Sequence, residues 1–318
     1  MATSPAHIKI VAHNGRPTLM LPSSTRSSLL AYACLVVAAL TWGGTWVVVR
    51  GVRDDIPPIA IAFWRWVAAA MILLPFAWRH LVIDWPKYRG HWPAVLTLGA
   101  IGTVTFAALG ALGVQYTTAT NASLINSITP VFCFVFSVVL LGTPVTGRFT
   151  AAMLLCLIGV LCITAQGRIE TILALDFNQG DLLVLLASIG WAAYSVGLRW
   201  MPQGINPLAF LLIVSVIGLA LWAPFYAIEI LGGRTASMNW QTAGVAFSLG
   251  LFPSVIAYIG WNYAVPRVGA HIAALFGNLV PVFGIALAII ILGESMQLYH
   301  AVGMALIFAG LFLVSRGR

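Results

Sequence analysis

Charge is scarce in this chain. Of its 318 residues only 8% are Asp, Glu, Lys or Arg, where soluble domains carry roughly 25%. So few charges cannot cover a water-facing surface. With 61% hydrophobic residues and a mean hydropathy of +0.98, a polytopic membrane protein is the class that remains. Cysteine is sparse as well. Cys34, Cys133, Cys156 and Cys162 all stand in apolar segments without metal spacing, which argues against a disulfide framework and reads as small core residues. No G-x-x-x-x-G-K-[ST] string occurs, so no nucleotide site is expected. G-x-S-x-G and H-E-x-x-H are also missing and the histidines are scattered, against a membrane-embedded enzyme. No organic or metal cofactor is implied. The net charge of +8 is distributed as membrane topology requires, and no nucleic-acid partner is expected from it.

What is present is a series of long apolar runs. Ten of them, each long enough for roughly 30 Å of hydrocarbon, cover 29–49, 57–78, 92–114, 119–141, 149–166, 181–200, 207–230, 240–264, 269–292 and 298–315. The polar stretch before them, with Pro5, Pro17, Pro22 and the run Ser23 to Ser28, lacks the apolar core of a signal peptide and reads as a disordered tail over 1–28. Met20 offers an alternative start that would remove most of it. Pro130, Pro253 and Pro281 fall well inside spans, where a missing N–H frees a backbone carbonyl and kinks the helix.

Basic residues give an orientation. With a cytoplasmic amino terminus, eleven Lys and Arg lie inside, among them Lys9, Arg79, Lys87, Arg148, Arg267 and Arg316; four, Arg50, Arg53, Arg168 and Arg234, lie outside. That bias places both termini in the cytoplasm.

The chain also repeats itself. Trp42, Arg50, Pro58 and Pro75 realign on Trp191, Arg199, Pro207 and Pro224 at an offset of 149. Pro130-Val131-Phe132, Leu141-Gly142 and Gly159 realign on Pro281-Val282-Phe283, Leu292-Gly293 and Gly310 at an offset of 151. Five spans per copy means that the second copy enters the bilayer from the opposite side. The expected fold is therefore an all-α polytopic membrane protein of ten helices in two inverted five-helix repeats. Its parts are a tail (1–28), a first repeat (29–166), a periplasmic linker (167–180) and a second repeat (181–318). Inverted repeats of this kind can open alternately to either face, a transporter architecture; a channel or scaffold subunit is the alternative the sequence leaves open.

Four strings resemble the EamA repeat of the drug/metabolite transporter superfamily: WGGTWVVVRGV, PPIAIAFWRWVAAAMILLP, LINSITPVFCFVFSVVLLG and LFGNLVPVFGIALAIIILGES. The resemblance covers residues 29–318. It implies a central cavity, export of small metabolites such as amino acids or their derivatives, and a place in the bacterial inner (plasma) membrane. Partners are then a small-molecule substrate and membrane lipid, with a homodimer among the assemblies the sequence allows. Two departures stand out. The repeat ends its fourth helix with Leu-Gly-Glu, kept at Gly293-Glu294 but replaced at Gly142-Thr143. Arg65 in the second span has Val214 as its repeat mate.

Arg65 is the one formal charge well within a span, roughly 12 Å deep at 1.5 Å per residue. An arginine there faces a protein interior or a wet cavity. It suits either a clamp for a substrate carboxylate or a structural role, bonding backbone carbonyls or reaching out to Asp54 and Asp55. Ser123, Asn126, Ser127 and Pro130 are spaced i, i+3, i+4, i+7, with Asn278 mating Ser127. These side chains suit either a cavity lining for a neutral or zwitterionic ligand or interhelical glue. Trp191 and Tyr194 stand in the sixth span, and Tyr258, Trp261 and Asn262 share a face of the eighth. Of the aromatics, Trp42, Trp191 and Tyr258 sit too deep for an interfacial belt and suit a wall for flat or apolar groups or plain packing. No Asp or Glu stands in the middle of a span, which favours facilitated movement over carboxylate-coupled antiport.

Overall fold

The computed structural model describes residues 9–13, 16–20, 25–52, 56–109, 113, 116–173, 178–202, 204–233, 239–293 and 295–315. Described strands are confined to an antiparallel pair, β1 (Lys9–His13) and β2 (Arg16–Met20), with Val11 opposite Thr18. The segment read as a disordered tail thus carries a hairpin. Its signal in the sequence is Asn14-Gly15, the dipeptide best suited to a two-residue connection.

The rest is helical. The first repeat holds α1 (Thr25–Val52), α2 (Pro58–Tyr88) and α3 (Trp92–Ala100, continuing as a wide π-helix over Ile101–Leu109). It closes with α4 (Ala119–Asn126 and Thr129–Leu141) and α5 (Gly147–Thr164). The second repeat holds α6 (Gln179–Gly197) and α7 (Pro207–Leu231), then α8, which runs Trp240–Leu249, widens over Gly250–Ile256 and resumes at Ala257–Val268. It ends with α9 (Ala270–Gly277 and Leu279–Leu292) and α10 (Leu298–Ser315). Nine of these are long and apolar enough to cross a membrane among the described residues. The apolar stretch of α3 is shorter, Trp92–Val104, and the expected span to 114 runs past Leu109 into residues only partly described.

Helix α2 runs ten residues beyond the expected boundary at 78, and the reason lies at its end. Asp84, expected to fall in a loop, accepts the Lys87 ammonium at 2.7 Å and the Asn206 N–H at 2.6 Å. Lys87 also donates to the Gly204 carbonyl at 2.6 Å. Helix α7 returns the arrangement at the far end, where Glu229 accepts the N–H groups of Ile59 at 3.3 Å and Ala60 at 2.8 Å. Each helix thus closes the amino terminus of its repeat mate with a buried carboxylate, satisfying N–H groups that a helix start leaves orphaned.

These bonds also show the inversion, because α2 and α7 must run antiparallel to make both. The α5–α10 pair repeats the pattern. A Cβ on Gly159 would stand 2.6 Å from the Gly303 carbonyl, and one on Gly310 would stand 2.6 Å from the Ala152 carbonyl. Ala152 and Gly159 are the mates of Gly303 and Gly310, so the crossing maps onto itself. Small residues at such a crossing let two backbones meet where bilayer gives no hydrophobic drive.

Among the described residues four helices are interrupted, in two symmetric pairs. The continuous spans expected over 119–141 and 269–292 break at Ser127-Ile128 and at Asn278, just before Pro130 and Pro281. The wide turns of α3 and α8 likewise overlap when the repeats are aligned. Proline supplies part of the cause: Pro130, Pro253 and Pro281 cannot donate to the preceding turn.

Candidate functional site

The middle of the bundle is aromatic. Trp42 of α1 and Trp191 of α6, mates in the two repeats, meet edge to face with ring centroids 5.3 Å apart. Trp261 of α8 lies 5.3 Å from Trp42 and 5.5 Å from Trp191, and Tyr258 lies 5.7 Å from Trp191. Tyr194 stacks on Trp191 at 5.3 Å, and Trp66 of α2 meets Tyr258 at 5.5 Å. The 3.6-residue period gathers them: Trp191 and Tyr194 share one face of α6, Tyr258 and Trp261 one face of α8.

The polar tips of these rings reach the wide turns. Tyr258 Oη donates to the Gly102 carbonyl at 2.6 Å, and Trp42 Nε1 donates to the Pro253 carbonyl at 3.1 Å. Gly102 and Pro253 are repeat mates, so equivalent carbonyls of α3 and α8 each receive an aromatic donor. Trp261 Nε1 donates to Ser195 Oγ at 3.2 Å, and Tyr194 Oη to Asn262 Oδ1 at 2.8 Å.

Arg65 borders this cluster. It is half-buried, its guanidinium carbon lies 5.3 Å from the Trp66 ring centroid, and its Nε donates to Ser254 Oγ at 3.0 Å. No described carboxylate pairs with it; the ion pair found among the described residues is Lys87–Asp84. Asp54 and Asp55 lie outside the described residues. Trp66 Nε1 and Asn262 Nδ2 are buried without a hydrogen-bond partner among the described residues. The groups left unanswered around Tyr258 are therefore donors. Among the described residues no three His, Cys, Asp or Glu side chains gather in a metal-binding group.

Residues 29–165 and 178–316 each match the EamA-like transporter family. The chain belongs to that family. A Bacillus subtilis transporter, YyaM, is 28% identical over 289 residues, covering 89% of this chain and 93% of its own. A Streptantibioticus cattleyicolor protein described as a "probable terminal-alkyne amino-acid exporter" is 27% identical over 282 residues, covering 89% and 92%. One crystal structure superposes with a TM-score of 0.73 at 19% identity, covering 92% of this chain and 97% of that one, a likeness of fold alone.

Of the EamA-type candidates read from the sequence, Arg65, Trp42, Trp191, Tyr258 and Asn262 come together here. Ser123, Asn126 and Asn278 have other surroundings. The break in α4 ends the helical spacing expected from Ser123 to Pro130: Ser123 is exposed, and Ser127 is buried with its hydroxyl on the Leu124 carbonyl at 2.6 Å. Asn126 Oδ1 accepts from Thr129 at 3.2 Å and from Ser188 of α6 at 3.4 Å, so it ties two helices. Asn278 is buried against the Cys156 thiol of α5. Trp66 and Ser254 were not legible as site residues. Their only signals were adjacency, to Arg65 in one case and to Pro253 in the other.

Proposed function

We propose that this EamA-family transporter exports small carboxylate-bearing metabolites, amino acids or related compounds, across the bacterial inner membrane by alternating access, with both termini cytoplasmic. The observation that carries this reading is the set of donors without described partners around Tyr258: the two Arg65 Nη groups, Trp66 Nε1 and Asn262 Nδ2. A ligand that answers donors is rich in acceptors, and a planar carboxylate matches a guanidinium fork. The surrounding rings supply apolar wall for the rest of the molecule. Similarity to an amino-acid exporter supports the same substrate class. Interrupted helices at symmetric depths support alternating access, since carriers place their ligands at such breaks. With no carboxylate in mid-span, facilitated movement is the favoured mode.

A thermal-shift panel of amino acids, amines and sugars on purified protein tests the substrate class, because a bound ligand raises the melting point by mass action. Amino acids should stabilise, and Arg65→Lys should weaken their binding by about 1.5–3 kcal/mol, having lost the two-pronged geometry. Stabilisation by sugars or amines alone would reject the reading. Accelerated counterflow in proteoliposomes then separates a carrier from a channel.

A further inference from the structure

We infer that Ser254 is a positioning residue that aims the Arg65 guanidinium, and so sets the preference of the site for carboxylates over neutral acceptors; this rests on the reading of Arg65 as the carboxylate clamp. The arrangement begins with Pro253. It has no N–H for the Leu249 carbonyl one turn back, and the widened turn of α8 passes that carbonyl on to residue 254. Ser254 Oγ donates to the Leu249 oxygen at 2.8 Å. A hydroxyl has one proton. Once it is committed to Leu249, the oxygen can only accept, and Arg65 Nε donates to it at 3.0 Å.

The backbone is built to allow this contact. Gly250, four residues before Ser254, faces α2 so closely that a Cβ there would stand 2.6 Å from Ala68 Cβ and 3.0 Å from the Arg65 carbonyl. Helix α8 is thereby pressed onto α2 beside Arg65. Ser254 itself is fully buried, so its orientation is not shared with bulk water. Holding Nε on Ser254 fixes the guanidinium plane and leaves both Nη groups, the two prongs of the fork, free of described partners. The first repeat shows the contrast. Thr103, the mate of Ser254, turns its hydroxyl onto the Gly99 carbonyl at 2.6 Å, but the mate of Arg65 is Val214 and no arginine is there to be aimed.

The test uses each amino acid of the panel beside its α-carboxamide, which keeps shape and amine but loses the charge. Wild-type protein should bind the acids more tightly than the amides. Ser254→Ala should cut acid affinity about tenfold, the scale of one lost hydrogen bond to a charged group, while leaving amide affinity unchanged. Ser254→Thr, matching residue 103, should restore the preference. Ser254→Cys fills the space with a weak acceptor and should show the same loss if the alanine variant does not fold. In an Arg65→Lys background, Ser254→Ala should add nothing. Equal loss for acids and amides, or no loss for acids, overturns the role of Ser254. A wild type without acid preference, or one whose preference survives Arg65→Lys, overturns the clamp itself.

Discussion

Trp42 and Trp191 hold equivalent places in the two repeats and touch each other. Residues related by a two-fold can meet only at its axis, so the axis of the inverted repeat runs through this pair. Trp42 Nε1 bonds the α8 carbonyl of Pro253. Trp42→Phe should therefore cost about 1 kcal/mol through the lost hydrogen bond. Trp191→Ala removes a ring packed on four others and should cost about 3–5 kcal/mol. Melting temperatures in one detergent, compared between the two variants, check the order.

Glu229→Gln tests the far cap of α2. The amide keeps one acceptor where the carboxylate offered two, and turns an NH2 group toward the N–H groups of Ile59 and Ala60. The expected loss is about 1–3 kcal/mol of stability. An unchanged melting temperature would mean that the cap contributes nothing.

Gly303→Leu should separate α5 from α10. Its Cβ would stand 2.6 Å from the Gly159 carbonyl and 2.5 Å from Ile163 Cγ1, so the helices must part before the remaining side-chain atoms are placed. Loss of folded protein in size-exclusion chromatography is expected. Gly244→Leu, at a glycine with open space around its Cβ direction, should behave as wild type.

Orientation is read out by single cysteines in a background whose native cysteines are replaced. Arg53→Cys should react with an impermeant thiol reagent in intact cells, and Arg318→Cys should not. The opposite pattern would invert the topology and with it the cytoplasmic assignment of both termini.

Much of this fold was legible because bilayer physics writes in long runs: nine of the ten expected spans, the inversion and the mates Trp42 and Trp191 follow from hydropathy and two offsets. Depth also flagged Arg65, since a buried charge is costly enough to be conspicuous. The breaks in α4 and α9 were not legible in position. Pro130 marks a kink, but Ser127 and Ile128 carry no sign that the helix parts there rather than bends. Asn126 and Asn278 show the same limit. Periodicity places an amide on a face, but which helix occupies that face is decided by packing between distant segments. The end of α2 was missed because Asp84 and Lys87 look like loop residues until Asn206 and Gly204 arrive from the other repeat.

Helices α2 and α7 behave as a strut. Sliding one past the other by a single turn would strip Asn206 from Asp84 and both Ile59 and Ala60 from Glu229 together, leaving Asp84 with Lys87 alone and Glu229 without its helix-start donors. Hydrogen bonds to charged groups are worth about 1.5–3 kcal/mol each, so this pair resists shear at both rims of the membrane. A member pinned at its two ends can still tilt as a whole, and it transmits that tilt without absorbing it. Displacement at one rim then reappears at the other with opposite sign, as in a lever, and bending is left to the four helices that are already interrupted.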